Sequence, residues 1–446
     1  MSCRIAVFSF AVALLAQSAA RAQSCTLSED DLADQCFRIQ LTMELSGKMT
    51  VRQDGKPLSL SQTARATHDF LERVLLSKGG VASKTARFYE EGKVVLKRGD
   101  QLFKSGLEPG LLVAHRVKDH TVVYHPRRPL TQEELEITEH FDTLHLGGLL
   151  PGKETKVGAS WKVTSDIVQA LCAFDGLVEH DLTGTLEDAK GDIAHLRFVG
   201  KARGIDAGAE VNLVVDARAD FDLKRKRLTR LSWKQSDQRE QGPVSPALSA
   251  DVLIELTRTP IEQPAKLNNI ALVPVPEGLP PDNLTALHYR DAKKRFRFAH
   301  GRDWRVVGVK DEQVVLRLLD RGDFVAQATL TPWKKAAPAD MLTLEEFAKL
   351  MASAPGWTEE KRIETTDKVE GPSGVRVFRV SAEGTLDGVN AVQFFYLLGG
   401  PKGEQMIVTF TMTPGQVSKL DARDLTLLRS IRLESMLKDD ETARGE

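Results

Sequence analysis

The residues best suited to metal chemistry are histidines, and half of them gather in one segment. Five of the ten histidines fall between His115 and His145, with His115 and His125 on either side of a predicted turn. Zinc needs three or four converging ligands, usually including a close pair such as H-x-x-x-H. No such pair occurs here, and His140 and His145 would lie about 140° apart on a helix. We therefore predict no metal site and no cofactor, and keep a metal-dependent hydrolase using this cluster as an alternative.

Nucleophile motifs are also missing from the sequence. It contains no G-x-S-x-G and no cysteine with an obvious histidine partner. Cys172 lies in the apolar segment DIVQALCAF, which favours a small buried hydrophobe over a nucleophile. The pairs Glu133-Glu134 and Glu345-Glu346 begin predicted helices, where acidic side chains suit the helix dipole. The loop LPGKETKVGASW lacks the spacing of a phosphate-binding loop. We predict no catalytic residue and therefore no enzyme.

The first 22 residues are typical of a secretory signal peptide. Arg4 provides the charge, residues 5–16 the apolar run, and residues 20–22 a small-x-small cleavage site. The run is about half the length that a membrane-spanning helix needs, and no later stretch is longer. We expect cleavage and export to the periplasm, the cell envelope or the medium of a bacterium. A retained N-terminal anchor and a lipid anchor on Cys25 are the alternatives.

Export makes a disulfide chemically reasonable and nucleic acid an unsuitable partner. An oxidising compartment allows Cys25 and Cys36 to pair, which would tie down the N-terminus, and the alternative is three unpaired thiols. The chain carries 61 Lys and Arg against 62 Asp and Glu, a net charge of −1, so no polyanionic partner is implied. The basic runs 224–230 and 293–297 are interpreted as solvated turns.

Alternating apolar residues predict an antiparallel β-rich domain over 23–265. The period of two runs through 39–45, 178–186, 194–198, 211–223 and 252–256, and turn residues separate the strands. Thr131 and Glu134 form a capping box before Ile137, Phe141 and Leu144, which lie at helical spacing. We expect a curved antiparallel meander with one or two covering helices, of which the second is DIVQALCAF.

Four prolines between residues 274 and 281 predict a linker over 266–285. Beyond the linker, residues 286–434 contain both strand-like and helix-like spacing of apolar residues. They predict a hairpin at Arg321-Gly322-Asp323, a helix capped by Thr343 and Glu346, three strands, and a last helix from Pro414 to Ile431. Residues 435–446 form a polar tail. The predicted fold class is α+β.

The second domain resembles a known family. The segments RFRFAHGRDWRVV and SGVRVFRVSAEGTLDGVNAVQFFYLLGG, with the capped helix between them and the closing helix, resemble the PsbP-like sandwich. That resemblance implies an αβα fold and a binding or assembly role, and it carries over no site residue. Residues 36–265 resemble uncharacterised secreted proteins of planctomycete-type bacteria, through LLPGKETKVGASW and QGPVSPALS. Their strand-rich pattern is similar to curved half-barrels that hold lipids, a likeness of fold only.

These features favour a non-enzymatic extracytoplasmic protein that binds a partner protein or an apolar ligand. The alternatives are the metal-dependent hydrolase and a passive structural protein of the cell surface. The discriminating feature is the concave face of the first domain, because a filled face leaves no room for a ligand.

Overall fold

The computed structural model describes residues 24–53, 56–118, 120–139, 141–310, 312–337 and 340–436. The predicted signal peptide and most of the polar tail lie outside the described residues. The structure is 58% strand and 14% helix, and its large sheets are antiparallel. The predicted α+β class is therefore wrong, and the chain is mainly β. The physical reason is that the segments of alternating apolar residues pair into very long hairpins, whereas the segments with helical spacing form only short helices.

The first part of the chain builds one thirteen-stranded sheet and a separate ribbon. The ribbon pairs β1 (Ser24–Leu27) with β8 (Lys153–Lys156). The sheet consists of β2 (Cys36–Gln53), β3 (Lys56–Lys78), β4 (Val81–Arg98), β5 (Gln101–Gly106), β6 (Gly110–Val117), β7 (His120–Tyr124), β9 (Ser160–Lys162), β10 (Gly176–His180), β11 (Thr183–Lys190), β12 (Ile193–Asp206), β13 (Ala209–Asp222), β14 (Arg227–Arg239) and β15 (Ala247–Ile261).

The strand order of this sheet is β7-β6-β4-β3-β2-β15-β14-β13-β12-β11-β9, with β5 beside β4 and β10 beside β12. The predicted hairpins are confirmed. Tight turns join β11 to β12 at Gly191, where φ is +61°, and β13 to β14 at Lys226, where φ is +49°. The long hairpin of β2 and β3 holds its register over 18 residue pairs, from Cys36↔Arg73 to Gln53↔Lys56.

Short helices cover one face of the sheet, which we call the helix-side face. They are α1 (Gln132–Thr138), a 3-10 helix (Thr143–Leu149) and α2 (Ser165–Leu171). Successive side chains of a strand point to opposite faces, so Phe37, Ile39 and Leu41 of β2 all face the helices. They join Phe70 and Trp233 in one continuous core.

The capping box of α1 is confirmed, since the Thr131 hydroxyl accepts from the Glu134 N–H and Glu134 accepts from the Thr131 N–H. The single helix predicted through Phe141 and Leu144 is wrong. Helix α1 ends at Thr138. The chain turns because the Asp142 side chain accepts from the Leu144 N–H and starts the 3-10 helix.

The predicted linker is packed against the sheet. The 3-10 helix Ala265–Leu267 and helix α3 (Asp282–Thr285) lie at its ends. Leu267 packs with Leu71 and Ala86 on the face opposite the helices, which we call the outer face. The buried Lys84 ammonium donates to the carbonyls of three consecutive linker residues, 276–278. The prolines therefore fix a strap along the sheet.

The second part of the chain holds two further sheets. A three-stranded sheet has the order β16-β17-β25 and a seven-stranded one the order β18-β19-β20-β24-β23-β22-β21. The elements are β16 (Leu287–Arg290), β17 (Phe296–His300), β18 (Trp304–Lys310), β19 (Gln313–Asp320), β20 (Asp323–Trp333), α4 (Leu344–Ala352), β21 (Trp357–Thr366), β22 (Arg376–Leu386), β23 (Val389–Gly399), β24 (Gln405–Met412), α5 (Val417–Leu420), α6 (Arg423–Ser430) and β25 (Arg432–Leu433).

Helix α4 covers one face of the seven-stranded sheet through Phe347 and Met351. The other face packs against α6 and the three-stranded sheet. The capping box of Thr343 and Glu346 is confirmed. The predicted last helix is interrupted, because Asp421 and Ala422 adopt left-handed backbone between α5 and α6. A clear αβα sandwich is not formed, since nine-residue α4 alone covers its face.

Direct contacts join the two parts. The His288 N–H donates to the Leu130 carbonyl at 2.7 Å. The Gln132 side chain accepts from the Val306 N–H at 2.9 Å and donates to the Val306 carbonyl at 3.3 Å. Helix α1 is thus held from the first sheet below and from β18 beside it.

Candidate functional site

A cavity of about 700 Å³ lies on the outer face of the first sheet. Its lining comes from six neighbouring strands, β13-β14-β15-β2-β3-β4. Strand alternation explains why, because the residues beside the inward-facing Leu45 and Val252 point outward. We call this cavity the trough, and its principal lining residues are Glu44, Arg65, Val95, Lys97, Val214, Asp216, Lys234, Asp251 and Leu253.

The width of the trough shows that the sheet curves toward its outer face there. Val214 on β13 and Val95 on β4 line the same cavity, although four strands separate β13 from β4. At the usual strand spacing those two strands would lie about 24 Å apart in a flat sheet. A depression of about 540 Å³ continues the trough along the same strands toward Gln40 and Asp69.

The trough combines an exposed apolar lining with charged side chains. Val95 is 41% exposed and Val214 is 51% exposed. Glu44 and Arg65, which both line the trough, stand 3.7 Å apart as an ion pair, and Asp216 pairs with Arg197 of β12. The Arg197 guanidinium donates twice to Asp216, at 3.2 Å each, and holds the pKa of that carboxyl below its usual range. The Lys97 ammonium makes no hydrogen bond or ion pair with the described residues.

The helix-side face is filled. Side chains from α1, the 3-10 helix and α2 enter the same core as the strands, and Leu149, Val168, Phe198 and Trp233 are completely buried. A cavity of about 280 Å³ remains beside Ile137 at the edge of α1. The helix-side face therefore offers little room for a ligand, and the outer face, toward which the sheet curves at the trough, offers more.

The histidine cluster is spread over both faces of the sheet. His115 on β6 pairs in register with Lys84 and lies under the linker on the outer face. His145 lies in the 3-10 helix on the helix-side face. His125 accepts from the Arg127 N–H at 3.1 Å in a surface turn. His140 lies outside the described residues. Among the described residues no group of three or more His, Cys, Asp or Glu is arranged to hold a metal ion.

Burial lowers the pKa of His115 and also that of His145. Both imidazoles are therefore neutral over a wider pH range than free histidine. His145 Nδ1 stands 3.9 Å from Asp142 Oδ2, which is too long for a hydrogen bond. These residues belong to packing around the sheet and do not share one site.

A buried ionic cluster beneath the 3-10 helix escaped the sequence analysis. The Arg87 guanidinium, 1% exposed, donates to Glu72 at 2.9 Å, to Asp142 at 2.6 Å and to the Thr143 hydroxyl at 2.9 Å. Burial alone would raise the pKa of Asp142, but the Arg87 charge, the nearby His145 and the hydrogen bonds from Arg87 and the Leu144 N–H together lower the pKa to about 2. The cluster is fully paired and closed to solvent, so it positions the 3-10 helix and leaves no group free for catalysis.

The predicted Cys25–Cys36 disulfide is not formed in the structure, where Cys25, Cys36 and Cys172 are free thiols. Cys25 pairs with Thr155 in the ribbon, whereas Cys36 begins β2 in the main sheet. The bridge stays a prediction for the oxidised protein. Burial raises the pKa of Cys172 to about 12, which suits the predicted packing role.

A buried ion pair also fixes the N-terminal segment. The completely buried Glu29 carboxylate accepts two hydrogen bonds from Arg258 at 3.0 Å and one from the Leu228 N–H at 2.8 Å. The Arg258 guanidinium also stacks over the Phe37 ring at 3.9 Å. A single glutamate in a loop gives no sequence signal for such a contact.

Asp237 is a carboxyl on the helix-side face whose environment disfavours its charged form. Burial raises its pKa to about 6, although the Gln235 amide donates to it at 3.0 Å. Gln235 in turn accepts from the Trp233 indole at 2.8 Å. The result is a row of three polar side chains along β14 under α2. The negative charges of Asp251 and Asp206 raise the pKa of Asp237 further, and the nearby Cys172 is protonated.

A second cavity, of about 600 Å³, lies between the two parts of the chain. Val122, Leu279, His300 and Arg302 are among its lining residues. Burial lowers the pKa of Arg302 to about 10, and its guanidinium donates to the carbonyls of Thr285 and Val123. These hydrogen bonds join the linker to β7, so the Arg302 side chain acts as a tie between the two parts.

The predicted roles of the acidic pairs and basic runs agree with their places in the structure. Glu134 and Glu346 complete the two capping boxes. In the first basic run, Lys224 donates to Asp192 at 2.6 Å. In the second, Arg295 donates to Asp291 at 2.9 Å. These charges are used in turns and helix ends.

Comparisons with known proteins add little to this description. No family model and no curated protein matches the chain. Among solved structures, the cyanobacterial PsbP (CyanoP) of Synechocystis matches 33% of this chain and 92% of its own, at 15% identity and a TM-score of 0.26. Lipovitellin, whose structure describes lipid–protein interactions, matches 52% of this chain and 26% of its own, at 8% identity and a TM-score of 0.30.

Both TM-scores are too low for the likeness to carry an argument about fold or function. The PsbP match is in keeping with the resemblance seen in the second part of the sequence, at the level of a partial match. The resemblance of residues 36–265 to planctomycete-type secreted proteins finds no support. None of the helices in the described ranges is long and apolar enough to cross a bilayer.

Proposed function

We propose that this chain is a non-enzymatic binding protein of the extracytoplasmic space that holds an apolar or amphiphilic ligand in the trough. The observation that carries the proposal is the cavity of about 700 Å³ on the outer face of the first sheet. This volume falls in the range typical of ligand sites, which combine apolar walls with a few polar groups.

The trough has the chemistry that an amphiphile requires. Val95, Val214 and Leu253 offer an apolar surface to a hydrocarbon chain, and removing that surface from water is favourable by roughly 25 cal/mol per Å². The Lys97 ammonium, which has no ion pair among the described residues, and the Lys234 ammonium, which lines the same cavity, suit an anionic end group. A long-chain fatty acid is the simplest molecule with both features.

The non-enzymatic part of the proposal is supported by the way the candidate groups are used. The buried Arg87 cluster is closed, Cys172 is protonated, and His115 and His145 lie on opposite faces of the sheet. Export is supported by the signal-like residues 1–22 of the sequence. An apolar ligand or a partner protein fits such an address, and the open trough favours the ligand.

The test is oleate binding by the purified chain that lacks residues 1–22. In Val214→Trp the indole fills the trough, and we expect the Kd for oleate to rise at least tenfold, about 1.4 kcal/mol. Val199→Trp is the matched control, because Val199 is 43% exposed on the same outer face but does not line the trough. Native mass spectrometry and fluorescence titration measure both variants.

Two results would remove the proposal. One is a wild-type protein that retains neither oleate nor a lysophospholipid. The other is an equal loss of oleate in both tryptophan variants, which would place the ligand elsewhere.

A further inference from the structure

One corner of the first sheet combines exposed apolar and basic side chains, and the trough does not use them. The corner lies where the hairpin of β4 and β5 ends beside β3, with Gln62 paired to Arg98, and the hairpin of β2 and β3 continues six residues further, to Gln53↔Lys56. We call it the distal corner, and it comprises Lys48, Lys56, Leu58, Leu102, Phe103 and Lys104.

The apolar members of the distal corner are exposed to solvent. Leu102 is 58% exposed, Phe103 45% and Leu58 39%. Leu102 and Phe103 are neighbours on the edge strand β5, so their side chains leave opposite faces of the sheet at its border. Natural proteins protect such edges with charge or a covering element. No described strand pairs with the free edge of β5, and helix α1 meets the end of this strand where the Ser105 hydroxyl donates to Glu133.

The charge around these side chains is strongly positive. Residues 45–65 and 93–106 carry eight Lys or Arg and two Asp, in a chain whose net charge is −1. The rest of the sequence is therefore net acidic. The ammonium groups of Lys48, Lys56 and Lys104 are exposed and have no ion pair among the described residues.

Exposed apolar side chains at an edge, surrounded by lysines, match the interface of an anionic bilayer. Each basic side chain near such a surface adds attraction to the anionic headgroups, and inserted apolar groups add to it. An acidic protein surface would complement the charge of the lysines. It would not offer an apolar layer into which the side chains of Leu102 and Phe103 could insert. We propose that the distal corner docks the protein on a membrane surface rich in anionic lipid.

This inference goes beyond the proposed ligand and does not depend on it. The trough shares strands β3 and β4 with the distal corner, so a docked protein would hold the end of the trough near the lipid. An amphiphile would then pass between bilayer and trough over a short path.

The experiment is co-sedimentation of the purified chain lacking residues 1–22 with vesicles of phosphatidylcholine containing about one third phosphatidylglycerol. We expect binding at about 50 mM NaCl that falls at about 500 mM, because salt screens exposed charge. Lys48→Glu/Lys56→Glu/Lys104→Glu should lose at least tenfold in affinity. Leu102→Ser/Phe103→Ser should lose severalfold and keep the salt dependence.

The control replaces three exposed lysines that lie away from the distal corner, Lys153→Glu/Lys334→Glu/Lys368→Glu, and we expect its binding to match the wild type. Circular dichroism checks that each variant is folded. Wild-type protein that stays in the supernatant with phosphatidylglycerol vesicles overturns the inference. Equal loss in the control also overturns it, because binding would then follow total charge.

The two proposals fail separately. Val214→Trp should sediment with vesicles like the wild type, and the distal-corner variant with three glutamates should bind oleate in detergent-free solution like the wild type. Failure to bind oleate alone would therefore overturn the proposal for the trough. Failure to sediment with vesicles alone would overturn the proposal for the distal corner.

Discussion

The two faces of the thirteen-stranded sheet are built from the same strands, but one face is covered by helices and the other is partly open to solvent. The helix-side face carries one continuous core and buries whole ion clusters, such as Arg87 with Glu72 and Asp142. The outer face is covered by the linker at one end and open as the trough at the other. A charged residue therefore contributes to folding on one face and is available to a ligand on the other.

The largest effect that would test this comparison comes from the buried Arg87. Arg87→Met leaves Glu72 and Asp142 charged and unpaired in the core, so the free energy of unfolding should fall by about 3–5 kcal/mol. Arg197→Met is the matched change on the outer face, where Arg197 and Asp216 are 39% and 52% exposed. Its cost should stay below about 1 kcal/mol. Urea unfolding measures both, and similar costs would contradict the distinction between the faces.

A smaller effect is expected from pH. The folded-state pKa of Asp142 is about 2, below its usual value of 3.8, so the carboxylate stabilises the fold fully above pH 4. That contribution, about 2 kcal/mol, should be lost as the pH falls from about 4 to 2. Asp142→Asn should be less stable at pH 7 and should show a flatter acid limb. An unchanged acid limb would show that Asp142 is not held by Arg87.

The smallest effect sharpens the comparison, because one carboxyl on the filled face is poorly paired. The pKa of Asp237 is raised to about 6, so its charge weakens the fold above pH 6 and this penalty disappears as the pH falls toward 4. Asp237→Asn should raise the free energy of unfolding at pH 7.5 by about 1–2 kcal/mol and change little at pH 4. Lower stability of the variant at pH 7.5 would show a favourable ionic role that the structure does not indicate.

Much of the local structure was predictable from the sequence. Period-two segments and turn residues such as Lys190-Gly191 specify the hairpins, because a one-residue slip would turn every apolar side chain to the wrong face. Both capping boxes were also predictable, since they satisfy backbone groups within one turn. The helix through Phe141 was wrongly extended, because apolar spacing cannot show that Asp142 pairs with the distant Arg87.

The candidate site was much less predictable. Val95, Val214 and Leu253 come from three strands that are far apart in the sequence. In each strand, the residue is a single apolar side chain between polar neighbours on the outer face, which is a weak signal. Their common feature is a position on the outer face of a curved sheet. The sequence analysis left undecided whether the concave face of the first domain is open or filled, because sheet curvature and packing are decided by contacts between strands that are remote in sequence.

By itself, the sequence determined the antiparallel hairpins, the helix caps and the expectation of export, since each rests on neighbours along the chain. Only the tertiary structure decided the mainly-β class, the separation of His115 from His145, and the closed Arg87 cluster. The trough and the distal corner belong with these. The physical reason is that sheet curvature and charge pairing depend on strands that are adjacent in space and remote in sequence.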